Sequence, residues 1–370
     1  MAIRTCYGVS TSADPVRAVA ELAAQTGSTG KDGLLFFCSP DLDLDALGRE
    51  LSRTYACPIF GCTSAGHFSP EGSHHSGIIG VAFHGGGLRL RTYLISPLSG
   101  AEEEIARIAD EIAAGAEAEP HLNRFGLLLI DGLSMAEETL VATLYQRVGN
   151  LPLIGGSAAD NMKFERTCVY ADGRFLSDAA TLTLFETVHP VATIKTQHFA
   201  PGDIELVITE ADPERRLILE MNGEPAAVAY AEAIGLSIDA LTPAVFSRHP
   251  LVLTLCGEPY VRSIQRVNAD LSLSCYCAID EGLIVSIGNA LDPIRTMAAA
   301  MADLRREIPQ PAVVLGCDCV LRQLDFQQAA IGRDMSRLMA ANRLFGFYTY
   351  GEQYNGLHVN QTLTAVAIGG

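Results

Sequence analysis

Three stretches of the chain share one order of apolar and polar positions. Leu34–Cys38 is a continuous apolar run bounded by Gly33 and Pro40, the mark of a strand buried on both faces. Leu47 and Leu51, four residues apart, predict a helix over 45–55, and Pro58–Gly66 reads as a strand running into a small-residue loop. Ser76–Phe83 returns as a third strand. The order recurs at Gly126–Ile130, a helix opened by the Ser134/Glu137 capping-box pattern and closed by Gly149, Pro152–Asp160, and Ala179–Phe185. It recurs again at Ala312–Gly316, a helix over 326–342, Leu344–Tyr354 and His358–Ile368. The step from the first strand to its key glycine is similar each time: Leu34 to Gly61, Leu127 to Gly155, and Val313 to Gly346 with a longer insert. Such self-similarity predicts internal duplication.

A strand that ends in glycine and then presents hydroxyls, amides and a carboxylate is a way to line a pocket. Glycine lets backbones approach, and tyrosine offers a flat apolar face with a polar tip. The richest case is Leu344–Asn355, with Tyr348, Tyr350, Tyr354 and Glu352. Elsewhere, Asp14-Pro15 opens a helix that Gly27 closes. A different block lies between the second and third repeats. It holds strands at 191–199, 204–209, 251–255, 271–279 and 283–287, a helix over 226–234, and a helix from Asp292-Pro293 through Arg306. The turn chemistry of Met221–Pro225 places a domain boundary near Asn222-Gly223, dividing the chain into 1–222 and 223–370. The expected architecture is α/β: two layered domains with mixed sheets covered by helices, built partly from the repeated unit.

At 370 residues the chain can bury a large core, and no segment reaches the roughly 18 uninterrupted apolar residues a membrane span needs. The N-terminus lacks a signal-peptide pattern, which predicts a cytoplasmic protein whose ten cysteines stay reduced. A net charge of −17 without a basic stripe argues against nucleic acid and anionic membranes as partners. Cys275/Cys277 and Cys317/Cys319 form two CxC pairs, but residues two apart in a strand do not wrap an ion, so small buried side chains are expected. Cys62, at a strand end, and Cys317 are the candidates for a nucleophile, with no base implied by the sequence. His67, His74, His75 and His84 read as solvated residues of a glycine-rich hairpin.

Gly61-Cys-Thr-Ser-Ala-Gly66, Ile154-Gly-Gly-Ser-Ala-Ala-Asp160, Gly346-Phe-Tyr-Thr-Tyr-Gly-Glu352 and Val359-Asn-Gln-Thr-Leu363 together resemble the FIST family over nearly the whole chain. In one departure, the second motif lacks a further glycine before its acid. The resemblance implies a non-enzymatic ligand sensor of bacterial signal transduction whose output is a histidine kinase or another signalling protein. Lys195-Thr-Gln-His-Phe199, Thr209–Pro213 and Asn222–Ala226 are similar to the haem-binding NosP subgroup, which senses nitric oxide. That likeness implies non-covalent haem b on His198, with Lys195 and Arg166 as candidates for its propionates. The alternative it leaves open is a haem-free sensor of a small polar metabolite such as an amino acid. The expected ligand-binding residues are Cys62, Thr63, Ser64, Ser157, Asp160, Tyr350, Glu352, Asn360 and Gln361, and a homodimer is among the assemblies the sequence permits.

Overall fold

Each of the three recurrent stretches folds into the same six-stranded sheet, and each sheet is finished by a different stretch. A computed structural model describes residues 2–370. In the first unit an edge strand, Arg4–Ser10, pairs with the returning strand Ile78–His84. That strand pairs with Gly33–Cys38, which lies parallel to the glycine strand Ile59–Thr63. The second unit repeats this with Arg89–Ile95, Ala180–Thr187, Asn123–Ile130 and Leu153–Ser157. The third uses Val191–Thr196, Leu363–Gly369, Pro311–Cys319 and Leu344–Thr349. A helical crossover joins each parallel pair, because parallel neighbours cannot be joined by a tight turn.

The key glycines occupy one register position. Gly61 lies opposite Phe36, Gly155 opposite Leu128, and Gly346 opposite Gly316. A Cβ there would stand 2.1, 2.0 and 1.8 Å from the carbonyl oxygens of those partners. No side chain fits, which is why the glycine recurs.

The remaining two places in each sheet go to a hairpin from elsewhere. The hairpin 67–74 completes the third sheet, 169–176 completes the first, and 352–359 completes the second. The exchange therefore closes in a ring. The two-residue period of the strands sorts the core accordingly. Leu35, Phe37, Leu127, Leu129, Val313 and Leu315 meet in one central core shared by all three sheets, where Phe37 stacks on Phe347 with ring centroids 4.3 Å apart. Their neighbours Leu34, Phe36, Leu128, Ile130 and Val314 face the covering helices.

Residues 199–290 form an inserted module with its own eight-stranded sheet and core. It enters through Phe199 and leaves through Ala290, which pair, and the Leu291 amide donates to the His198 carbonyl at 2.8 Å. Two strands thus make its neck.

The mixed α/β layering matches expectation, and several local readings need correction. The boundary placed near Asn222-Gly223 is not among them, and falls at a turn within the inserted module. Both residues have positive φ, 53° and 81°, and they turn Leu217–Met221 back onto Glu224–Pro225 inside the module, as Asn-Gly does in hairpins. The helix Glu137–Val148 has no capping box, because the Ser134 hydroxyl donates to the Asp131 carbonyl instead. The helix expected over 326–342 is two helices, Val320–Gln328 and Gly332–Ala341, broken where Ala330 takes φ 56°. This second helix accounts for the longer insert of the third repeat. No helix among the described residues is long and apolar enough to cross a membrane.

Candidate functional site

The loops that follow the three glycine strands converge on the axis relating the units. Three backbone bonds link them head to tail: Ala65 donates to Tyr348 at 3.1 Å, Ala159 to Thr63 at 3.1 Å, and Tyr350 to Ser157 at 3.2 Å. This brings Cys62, Thr63, Ser64, Ser157, Asp160, Tyr350 and Glu352 together, and all of them are buried. Their polar atoms are committed to the fold. The Thr63 hydroxyl accepts from the Cys168 amide, Ser64 donates to the Cys38 carbonyl, and Ser157 accepts from the Gln353 amide. Asn360 and Gln361, also buried, reach the inserted module at the Ser263 amide and the Phe246 carbonyl. None of these nine residues lines the cleft described below. Their contacts join the units to one another and to the inserted module, as polar groups sealed from water find partners within the protein, although Gln361 Oε1 has none.

Burial sets the electrostatics of this axis. Glu352 accepts from Thr349 and from the amide and hydroxyl of Thr362, yet burial pushes its carboxyl up to about 8, with Asp318 adding to the shift. Cys62 and Cys317 are sealed, and burial pushes both thiols well above their ordinary value, which is the reverse of what a nucleophile needs. His67 is not solvated: it is fully buried, bonded through Nδ1 to the Ser64 hydroxyl, and driven down to about 3 by burial. Cys275, Cys277, Cys317 and Cys319 are buried, and no three His, Cys, Asp or Glu side chains among the described residues are grouped as metal ligands.

His198 lies at the neck of the module. The Arg322 guanidinium donates to Nδ1 at 3.1 Å, which fixes the other nitrogen, Nε2, as the donor to Asp325 at 2.9 Å. Arg322 in turn donates to Asp318 at 2.6 Å, and Phe199 and Phe326 flank the imidazole. A haem iron needs one imidazole nitrogen turned toward open space. His198 is fully buried with both nitrogens engaged, so these residues as arranged do not fit a haem ligated there. Lys195 lies over the Tyr260 ring at 4.3 Å, and Arg166 is exposed.

The open site is a cleft of ≈ 600 Å³ between the second unit and the inserted module. Asp160 builds one wall. Its carboxylate accepts from the amides of Phe164, Glu165 and Arg166 at 2.7–2.9 Å, and from the Tyr350 hydroxyl. This holds Asn161, Met162 and Phe164 at φ 58°, 62° and 55°, a conformation costly for residues with side chains. Phe164 then stacks on Tyr350 at 5.0 Å, with Tyr276 6.1 Å from each. The opposite wall carries Arg215, Arg216 and Arg266. Arg216 is buried and latches the module to the second unit: it donates to Glu137 at 2.6 Å, to Glu138, and to the Tyr276 carbonyl at 3.0 Å. Tyr276 lines the cleft, and its hydroxyl is sealed from water behind that lining and has no hydrogen-bond partner.

The sequence reading passed over Phe164, Arg215, Arg216, Arg266 and Tyr276. Two signals were present. Arg215-Arg216 is a paired cation following an Asp-Pro turn in an acidic chain, and Tyr276 separates the two cysteines read as small buried side chains.

Residues 32–224 match the family model of the FIST N domain, and residues 226–355 match that of the FIST C domain. The chain belongs to the FIST family, whose domains are sensors of signal transduction. No curated protein matches the chain.

Proposed function

We propose that the chain senses a small polar metabolite, bound without haem in the cleft between the second unit and the inserted module. The observation that carries this reading is the open cleft of ≈ 600 Å³ lined by Phe164, Tyr276 and three arginines, with the Tyr276 hydroxyl sealed behind that lining without a partner. Leaving such a group unsatisfied costs roughly 1–3 kcal/mol, and a ligand that parts the lining to reach it recovers that cost. The strained Phe164 beside it fits the same reading, since strain is retained where the surrounding structure holds a site in shape. A ligand touching both walls favours the closed position of the module over its neck, and a signalling partner such as a histidine kinase reads that change in population.

The test is a thermal-shift screen of the full chain against small metabolites, repeated with Tyr276→Phe. A ligand at about 100 times its Kd adds about 2.7 kcal/mol to stability. The variant should be as stable as the wild type or more so without ligand, and should lose much of the ligand-induced shift. The absorption spectrum of protein expressed with haem supply, beside His198→Ala, is the companion measurement. A Soret band that moves with nitric oxide and weakens in the variant would replace the metabolite reading with the haem one. It would also require His198 to leave Arg322 and Asp325.

A further inference from the structure

The charge of the cleft opposes that of the chain. Acidic residues outnumber basic ones by 43 to 26 over the sequence, yet the lining holds Arg215, Arg216 and Arg266 against the single carboxylate of Asp270. Asp270 is already occupied, since it accepts from the Ser272 amide at 3.1 Å and hydroxyl at 2.6 Å. The charge of Arg216 is met by Glu137 and Glu138. The other two guanidiniums are not matched in this way. Arg266 bonds through Nε to the neutral amide of Asn268 at 3.2 Å, and the exposed Arg215 has a contact to Asp212 at 3.8 Å and a through-space attraction to Asp270, with no close ion pair to either. The other wall is aromatic, with Phe164 and Tyr276 in the lining and Tyr350 stacked behind them.

We infer that the cleft takes a small anion carrying a flat unsaturated ring, with the ring against Phe164 and Tyr276 and the anionic group on Arg215 and Arg266. Each part has its own reason. A guanidinium presents a planar fork of donors that matches a carboxylate or a phosphate, and an anion drawn from water is paired only where cations are unspent. Aromatic faces take flat rings in offset or edge geometry over 4.5–7 Å, the spacing already present between Phe164, Tyr276 and Tyr350. A volume of ≈ 600 Å³ admits such a molecule and leaves room for water. The inference rests on the cleft being the ligand site. Arg216 is not part of the recognition, because its donors are committed to the latch.

The ring-bearing anion can be a carboxylate or a phosphate, and the probes separate the two. Calorimetry and thermal shift on the full chain would use 4-hydroxybenzoate and indole-3-acetate as ring carboxylates, and AMP and GMP as ring phosphates. Succinate and inorganic phosphate supply the anion without the ring, and indole and adenosine supply the ring without the anion. The expected result is that one ring-bearing anion class binds, while the matching half-molecules bind at least tenfold more weakly. Added salt should weaken that binding, and Arg266→Gln should weaken it at least tenfold without moving the unliganded melting temperature, since this side chain is exposed. Equal binding of an uncharged ring or a ring-free anion, indifferent to Arg266→Gln, would overturn the inference and leave the cleft as the site. If no ring-bearing anion binds, the inference falls. If the wider metabolite screen is also blank, the cleft reading falls with it.

Discussion

Glu352 should make the protein lose stability as the pH rises, and replacing it with glutamine should abolish that loss. Its carboxyl is fully buried at the axis, where every polar contact comes from Thr349 or Thr362. Burial raises its pKa from 4.5 to about 8. Between those values the folded state keeps a proton that the unfolded chain releases. The associated stability is complete below about pH 4.5 and is lost as the pH climbs through 8. At about 1.4 kcal/mol for each pH unit, the full loss approaches about 5 kcal/mol, and relaxation or water entry reduces it. That is comparable with the whole net stability of many domains. Glu352→Gln has the shape of the protonated acid and cannot ionise. Urea denaturation of both proteins from pH 5 to pH 9 is the assay. The curves should run together at pH 5 and part progressively toward pH 9, with the variant the more stable. Asp318, whose pKa burial also raises, is common to both proteins. Parallel curves across the whole range would refute the claim that Glu352 is held protonated by burial.

Other consequences can be checked in the same way. Arg216→Ala strands the buried Glu137 carboxylate and should cost about 3–5 kcal/mol in urea denaturation, with part regained by adding Glu137→Gln; a loss below about 1 kcal/mol would show that the latch carries no weight. Alanine at Gly61, Gly155 or Gly346 drives a Cβ into a backbone oxygen and should abolish soluble expression. Gly115→Ala, in the helix Glu102–Ala118 with nothing within 4 Å, should instead stabilise by about 0.5–1 kcal/mol. A thiol reagent followed by mass spectrometry should label the exposed Cys256 first and leave Cys62 and Cys317 unmodified until the chain unfolds; rapid labelling of either buried thiol would reopen the nucleophile reading.

The sequence revealed what depends on local periodicity. The run Leu34–Cys38 reads as a doubly buried strand because Leu34 and Phe36 pack under helices while Leu35 and Phe37 enter the central core. The recurrent glycines are legible because the parallel register excludes a side chain at that one position. Which sheet receives each hairpin is not legible. The pairing of Phe347 with His67, or of Gly155 with Gln353, is made by backbone groups that every residue carries. The role of the polar axis is illegible for a related reason. Thr63, Ser157 and Glu352 have the composition of a pocket lining, and the same hydroxyls and carboxylates serve equally to bond three units across an axis. Only the closure of the ring decides between these uses. The open cleft needs Phe164 and Tyr276 to meet from 112 positions apart, and the conformation of Phe164 is imposed by an acid whose role appears only once it is folded.

The ring of exchanged hairpins bears on how such a chain arises and how it can be cut. One unit alone has an unfilled place at the edge of its sheet and a hairpin without a host, and the two are complementary yet cannot meet within a single copy. Three copies can satisfy one another. A short polypeptide encoding only one idealised unit is therefore expected to assemble as a homotrimer, a stoichiometry that analytical ultracentrifugation reads directly, and a monomer would count against that ancestry. In the present chain the same geometry forbids deleting any one unit, while tolerating a whole module of some ninety residues between two strands of the third.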